Sequence, residues 1–571
     1  MRSYKIPYAV MNYAQLREDG YYYVDKSRYI TELEKYQVPV FLRPRRFGKS
    51  LFCTMLDYYY DLNETDRFES LFGDTWIGQH PTGRQNSYMV LHLDFSIVSV
   101  AENVRDMEKN FGIAINKSIR GFAEITYKKY FSDFRFSETT NSADLLSDLV
   151  TYISLNDLPQ MYIIIDEYDN FTNQLITSNK DLLYSELTTG DSFLRTFFKV
   201  IKEGVKTLGI GGVFITGVLP ITMDDLTSGF NIAQMVTLQP AFVNMLGFTY
   251  EETEAYLLAI FDGYGFDKSL LPEIHQIIRN NYDGYRFLPG AEPIYNSTIL
   301  TYFLNDFTIN NGTIPDELID ENLRTDLGWI KRLTLGEERA KEMLHQLVYE
   351  GRLGYTREML KSKFTREQFF RKEFYPISLY YLGMTTLADN FNMVLPNNTM
   401  CTIFVDYYNT LNDLRGTADK YIGFFEQFTK DHSVKTLFAG YYRVYLGQFP
   451  AQCFDKMNEN FIRNTFYELC NRYLSSEYLF ALEQNYPSGR ADWEITGRPG
   501  TPYHKNKQIV EFKYFPSKDA KHILALEVPH PEDVEQVCRY AADAKELLPD
   551  FHIRQFVIYV VANKGYKIWE V

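Results

Sequence analysis

Two stretches of the chain carry residue types suited to phosphate chemistry. The first, "FLRPRRFGKSLF" at 41–52, closes like a phosphate-binding loop of pattern G-x-x-x-x-G-K-[ST] with Gly48, Lys49 and Ser50. Arg43 stands where the first glycine should be. In such a loop the glycine lets backbone approach a phosphate, the lysine reaches the β and γ phosphates, and the hydroxyl ligates magnesium. Arg45 and Arg46 add positive charge beside that anion. An arginine does not readily adopt a positive φ, so the loop entrance is expected to differ from the usual one. "MYIIIDEYDN" at 161–170 ends an apolar run with Asp166 and Glu167, an acid to hold the metal and an acid to polarise a water. Thr216 closes "GGVFITG", where a polar residue could sense the γ-phosphate.

The second stretch, "GRADWEITGRPGTPYHKNKQIVEFKYF" at 489–515, holds Asp492 and then Glu511-Phe512-Lys513. Residues two apart on a strand share a face, so Glu511 and Lys513 point the same way. A hairpin centred near residue 502 puts Asp492 opposite Phe512, next to both. Two carboxylates and an ammonium on one patch suit phosphodiester cleavage. The acids hold one or two magnesium ions that lower the pKa of a water, and the lysine orients that water or stabilises developing charge. Glu459 on a preceding helix could add a ligand, and Gln536 and Tyr540 share a helix face by their i,i+4 spacing. A lone E-x-K is common and could equally be a strand ion pair.

The elements that must position these groups are legible from periodicity. Short runs rich in β-branched and aromatic residues at 38–43, 87–96, 161–170 and 211–217 read as strands, with helical patterns such as 50–62 and 191–208 between them. That alternation predicts an α/β fold, a mostly parallel sheet covered on both faces. From 246 to 450 the strand signal fades, and 249–265 and 336–353 look helical, so a helical lid and connecting region is expected there. After 451 a helix (458–476), "GRADWEI", a turn-rich loop, "QIVEFKYF", another helix and "RQFVIYVVA" form a compact α/β unit. The expected division is 1–245, 246–450 and 451–571.

At 571 residues the chain is too long for one core. With 45% hydrophobic and 23% charged residues it reads as globular, and no run of 18 apolar residues exists to cross a membrane. The first twenty residues lack an apolar signal core. Five scattered cysteines without C-x-x-C spacing support neither a zinc site nor a disulfide framework, which fits a reducing cytoplasm. A net charge of −15 argues against sequence-blind coating of nucleic acid but leaves room for a local basic groove.

Taken in order, "YYYVDKSRYITEL" (21–33), "FLRPRRFGKSLF", "IIIDEYDN", "FITGVLP" with "SGFN" (228–231), "NNYDGYRF" (280–287) and "PIYNSTIL" (293–300) resemble the AAA-ATPase-like family of bacterial proteins, over roughly residues 4–305. That family carries the arginine-containing phosphate loop, so Arg43 fits its pattern. The resemblance implies ATP, with Lys49 and Ser50 on phosphate and Mg2+, and Asp166 and Glu167 as metal and water residues. Arg286 is then a candidate phosphate sensor in the lid. The order helix-Glu459, Asp492, Glu511-x-Lys513, Gln536-x-x-x-Tyr540 resembles the PD-(D/E)XK nuclease superfamily over about 455–571, with a restriction-endonuclease-like fold. "GRAD" stands where that superfamily's Pro-Asp would be, and Glu483 precedes Asp492 as in relatives, with a structural role the expectation for it. The resulting expectation is an ATP-driven, Mg2+-dependent nuclease, with DNA ahead of RNA as partner and self-association or a protein partner left open. A non-cutting ATPase switch and an RNA-directed nuclease are the competing readings.

Overall fold

The computed structural model describes residues 4–226, 230–319, 329, 338–414, 416 and 419–571. Ser228 and Gly229 of "SGFN" and the start of the 336–353 pattern lie outside the described residues.

The N-terminal half is built on a parallel sheet. Its strands are β1 (Pro39–Leu42), β2 (Met89–Asp94), β3 (Met161–Asp166), β4 (Ile210–Gly217) and the two-residue β5 (Gln234–Met235), in the order β2-β3-β4-β1-β5. Every residue of β1 and β3 is buried, as expected where helices cover both faces, whereas β2 alternates buried and half-buried. The covering helices include Lys49–Tyr60, Val104–Gly121, Ser142–Leu155 and Phe193–Lys206. Phe193–Lys206 shows why they dock: Leu194, Phe197, Phe198, Ile201 and Val205 recur at helical spacing and are all buried. Strand order sets the chemistry. β4 lies between β1 and β3, so the phosphate loop after β1 and the acids at the end of β3 flank it at the same carboxyl edge.

The expected lid and connecting region is mainly helical, with Tyr250–Tyr264, Leu271–Tyr282, Ser297–Ile309, Glu338–Glu350, Asn398–Leu411, Asp419–Asp431 and Val434–Val444. It also contains a small sheet, β6 (Arg352–Gly354), β7 (Thr386–Leu387) and β8 (Asn392–Val394), whose strands are too short to stand out from periodicity. The apolar core does not break at residue 245. The N-terminal core continues through Ile403 and Tyr407, and a second core starts at Val348 and runs into the C-terminal sheet.

That C-terminal sheet has five strands, β9 (Tyr478–Tyr486), β10 (Gly489–Gly497), β11 (Asn506–Phe515), β12 (His552–Val561) and β13 (Gly565–Glu570), in the order β13-β12-β11-β10-β9. β11 and β12 are parallel and the other pairs antiparallel. β9 and β13 go beyond the strands read from sequence. Trp493, Val510 and Phe512 join the core around the helix Glu459–Leu474, while Ile509, Val557 and Tyr559 pack with Val537 and Tyr540 of the helix Pro531–Leu547. The two domain cores meet at β9, where Leu479 belongs to the N-terminal core. Among the described residues no helix is long and apolar enough to cross a membrane.

Candidate functional site

The phosphate loop is wound as its glycine requires. Gly48 has φ 91° and ψ 23° and caps the helix Lys49–Tyr60, and Arg46 also takes a left-handed φ of 69°. Lys49 is buried, and its Nζ donates to the carbonyls of Arg43 (3.1 Å) and Pro44 (3.0 Å). Burial lowers its pKa, opposed by Glu167 and Asp166. The Ser50 side chain hydrogen-bonds Asp166, and burial raises the Asp166 pKa against that bond. Glu167, with φ 49°, accepts from Asn170 Nδ2 at 2.5 Å. Arg45, Arg46, Gly48, Lys49, Ser50 and Glu167 line one side of a cavity of about 380 Å³. Apolar lining comes from the N-terminal segment, Val10, Met11, Tyr22 and Tyr23, with Leu246 and Phe248. Tyr22 stacks on Tyr256 at 4.1 Å, fixing this wall to the lid. A lining that is part cationic and part apolar suits the two ends of a nucleotide.

Two expected site residues, Thr216 and Arg286, sit elsewhere, and the loop entrance differs from the usual one where Arg43 replaces the first glycine. Arg43 never turns left-handed. Its guanidinium is buried, bonded to the carbonyls of Phe242 (3.1 Å) and Val243 (3.0 Å), and lies 3.8 Å from the Phe287 ring. The arginine variant of the loop therefore braces its entrance from behind. Thr216 does not reach the cavity as a sensor, because its hydroxyl donates to Phe41 O at 2.8 Å between β4 and β1. Arg286 does not line the cavity either. Its backbone pairs with Thr386, and its charge acts on Asp283. Two residues went unread in the sequence. Lys26 lines the cavity and pairs with Glu252 at 2.6 Å. Asp169, the third acid of "IIIDEYDN", is buried and accepts from the backbone of Val218 (3.1 Å) and Leu219 (2.7 Å), locking β3 to the end of β4.

In the C-terminal sheet the acids and the lysine do converge, in a different register. Trp493 pairs with Val510, so counting along the ladder sets Asp492 opposite Glu511 rather than Phe512. One residue decides which face a side chain takes. Asp492 and Glu483 fall between the paired residues Ala491–Gln484 and Trp493–Leu482, and Glu483 has φ 50°. Both carboxylates turn to Arg463 on the helix Glu459–Leu474. Arg463 Nη1 lies 2.9 Å from Asp492 Oδ1, and Nη2 lies 2.5 Å from Glu483 Oε1. Asp492 Oδ2 accepts from Phe512 N at 2.9 Å. Lys513 Nζ donates to Glu511 Oε1 at 2.6 Å, and Glu511 Oε2 is buried with no hydrogen-bond partner among the described residues. Burial and the Asp492 charge push Glu459 up to about 7 and raise Glu511 as well. Lys513 is raised because Glu511, Glu459 and Asp492 outweigh its own burial. Gln536 Nε2 donates to Tyr540 OH at 2.9 Å, and Tyr540 packs against Gly489. Arg463, one helical turn after Glu459, was the residue missed, and that spacing was its signal.

Among the described residues no three His, Cys, Asp or Glu side chains stand close enough to form a ready metal cage, so Glu459, Asp492 and Glu511 are not preassembled as one. Arg463 holds one Asp492 oxygen and Lys513 one Glu511 oxygen. The donor set still fits a hard divalent cation: carboxylates crowded enough to raise two of their pKa values, with one buried oxygen unpartnered.

A phosphate-loop α/β domain with an acid-tipped neighbouring strand, joined to a mixed sheet bearing an Asp…Glu-x-Lys patch, defines a nucleotide-binding protein fused to a nuclease-type domain. The chain carries a domain of the family described as "Predicted AAA-ATPase" over residues 7–227 and a PD-(D/E)XK nuclease superfamily domain over residues 457–570. A protein of Azotobacter chroococcum mcd 1, described as an uncharacterized protein in the vnfD 5′ region, is 26% identical over 304 residues. The match covers 51% of this chain and 50% of that protein, so this chain spans about half the length of that curated relative. The solved Walker-type ATPase PABY2304 of Pyrococcus abyssi is similar at 13% identity and a TM-score of 0.36, over 66% of this chain and 94% of that one.

Proposed function

We propose that the chain binds and hydrolyses ATP in the N-terminal cavity and uses that cycle to govern Mg2+-dependent cleavage of DNA phosphodiesters at the C-terminal patch, in a bacterial cytoplasm. The observation that carries the reading is the shared face of Asp492, Glu511 and Lys513, in one chain with the Ser50–Asp166 hydrogen bond. At the first site the loop amides and Lys49 Nζ would take the phosphates, Lys49 leaving the Arg43 and Pro44 carbonyls to do so. Ser50 and Asp166 would hold the cation, Glu167 would orient the water, and the wall of Val10, Met11, Tyr22 and Tyr23 would take the base. At the second site Asp492 and Glu511, with Glu459 beside them, would hold magnesium, which supplies Lewis acidity and a water of lowered pKa. Lys513 Nζ, exchanging Glu511 Oε1 for the reacting groups, would orient that water or meet the charge growing on the phosphate. Arg463 would keep Asp492 aimed.

A second reading, a non-cutting switch, draws support from both carboxylates being ion-paired within the chain. Incubating the full chain with plasmid and Mg2+, with and without ATP, separates the two. The nuclease reading expects cutting that disappears in Asp492→Ala and Lys513→Ala and loses its ATP response in Lys49→Ala. ATP turnover with no cutting of plasmid or of a labelled RNA panel would leave the switch.

A further inference from the structure

The segment "NNYDGYRF" (280–287) lies between the two sites. Its C-terminal end grips the phosphate loop. The Phe287 ring covers the Arg43 guanidinium at 3.8 Å, and Phe47 meets Tyr285 and Phe287 edge-on at 5.1 and 5.5 Å. Gly284, at φ 99°, is pressed so close to Pro396 that a Cβ would stand 1.9 Å from its carbonyl oxygen. Movement of the loop therefore has no slack to be absorbed there.

The other end reaches the nuclease sheet. Asn280 Nδ2 donates to Gln484 Oε1 at 2.7 Å. Gln484 is buried and directly follows Glu483, whose left-handed backbone is a conformation a glutamate holds only when its surroundings impose it. Glu483 binds Arg463, and Arg463 binds Asp492. Other contacts cross the same interface, among them His504 with Glu273 at 3.4 Å and Arg498 on the carbonyls of Ile314 and Pro315. Those lead to the turn joining β10 to β11, at the opposite end of the strands from Asp492.

We propose that Asn280 is a positioning residue for the nuclease patch, transmitting the state of the phosphate loop to Asp492 through Gln484, Glu483 and Arg463. This rests on the nuclease reading above and names its regulation. The backbone at Glu483 is the element with two arrangements: held left-handed, it presents the carboxylate to Arg463, and relaxed to extended backbone it withdraws it.

The test uses the full chain and a non-hydrolysable ATP analogue, with two readouts: hydrogen exchange of peptides spanning 478–497, and Mn2+ affinity of the C-terminal patch. In wild type the analogue is expected to change both. Asn280→Ala and Gln484→Leu are expected to shrink the nucleotide effect on Mn2+ affinity by about fivefold, the worth of one such hydrogen bond. The double variant should lose no more than either single one, because both break the same link. His504→Gln, at the same interface, should keep the effect, and all three variants should bind the analogue like wild type. An Asn280→Ala chain with the full nucleotide effect overturns the proposal, as does equal loss in His504→Gln. So does a wild type that holds Mn2+ and cuts DNA but ignores nucleotide. A wild type that neither holds Mn2+ nor cuts would instead remove the nuclease reading itself, and the inference with it.

Discussion

Neutralising Glu511 should stabilise the protein while abolishing cutting. The Glu511 side chain is almost fully buried, gains one ion pair with Lys513 at 2.6 Å, and leaves Oε2 without a partner among the described residues. Burial first, then the charges of Asp492 and Glu459, outweigh that pair and push its pKa from 4.5 up to about 8. An acid whose folded pKa is raised is favoured in its protonated form. Its penalty therefore appears as pH rises past the unfolded value near 4.5 and is complete above about 8. Replacing a poorly compensated buried ion by a neutral isostere commonly gains about 1–4 kcal/mol. Because Lys513 is 27% exposed and loses its partner, the lower half, about 2 kcal/mol, is the working figure for Glu511→Gln. That corresponds to roughly 4–8 °C in the melting temperature of a unit of 150–250 residues. Trp493, buried against Phe466, makes intrinsic fluorescence a reporter of this sheet. Melting should be followed in EDTA at several pH values, with the gain from Gln near its maximum at pH 8 and shrinking toward pH 5. A variant that melts at or below wild type at pH 8, or gains most at pH 5, would refute the claim that the surroundings of Glu511 disfavour its ionised form.

Gly48→Ala places a Cβ on a backbone at φ 91°. It should cost about 1–2 kcal/mol and remove nucleotide binding measured by calorimetry, although there is room for the methyl itself. Asp283, buried with Oδ1 lacking a partner among the described residues, is pushed up to about 6 by burial. Asp283→Asn should therefore raise the unfolding free energy at pH 7.5 by about 2 kcal/mol and change little at about pH 3, where folded and unfolded carboxyls are both largely protonated. Arg498 donates to the carbonyls of Ile314 (3.1 Å), Pro315 (2.8 Å) and Asp316 (3.2 Å). Arg498→Ala should lose about 2–4 kcal/mol of docking and speed limited proteolysis between residues 310 and 320.

Much of both sites could be read from local pattern, because local pattern reports what a short segment must do on its own. Gly48 before Lys49 and Ser50 implies a left-handed residue at a helix start, and an apolar run ending in Asp166 implies a buried strand with an acid at its tip. Likewise the two-residue spacing of Glu511 and Lys513 is enough to place them on one face of a strand. What local pattern does not contain is the partner across the ladder. The β10–β11 register slipped by one residue from the expected hairpin, and with it the residue facing Asp492. Arg43 and Thr216 have the charge or hydroxyl a phosphate site wants, yet packing spends them on backbone groups at Phe242 and Phe41, and the backbone of Arg286 is tied to the Thr386 hydroxyl away from the cavity. Lys26, Asp169 and Arg463 acquire their places only because segments distant in sequence are brought together and buried charges must then find partners. Side-chain type and spacing are short-range properties of the chain, whereas register, burial and charge pairing are settled by contacts between remote segments, and those contacts exist only once the whole chain has packed.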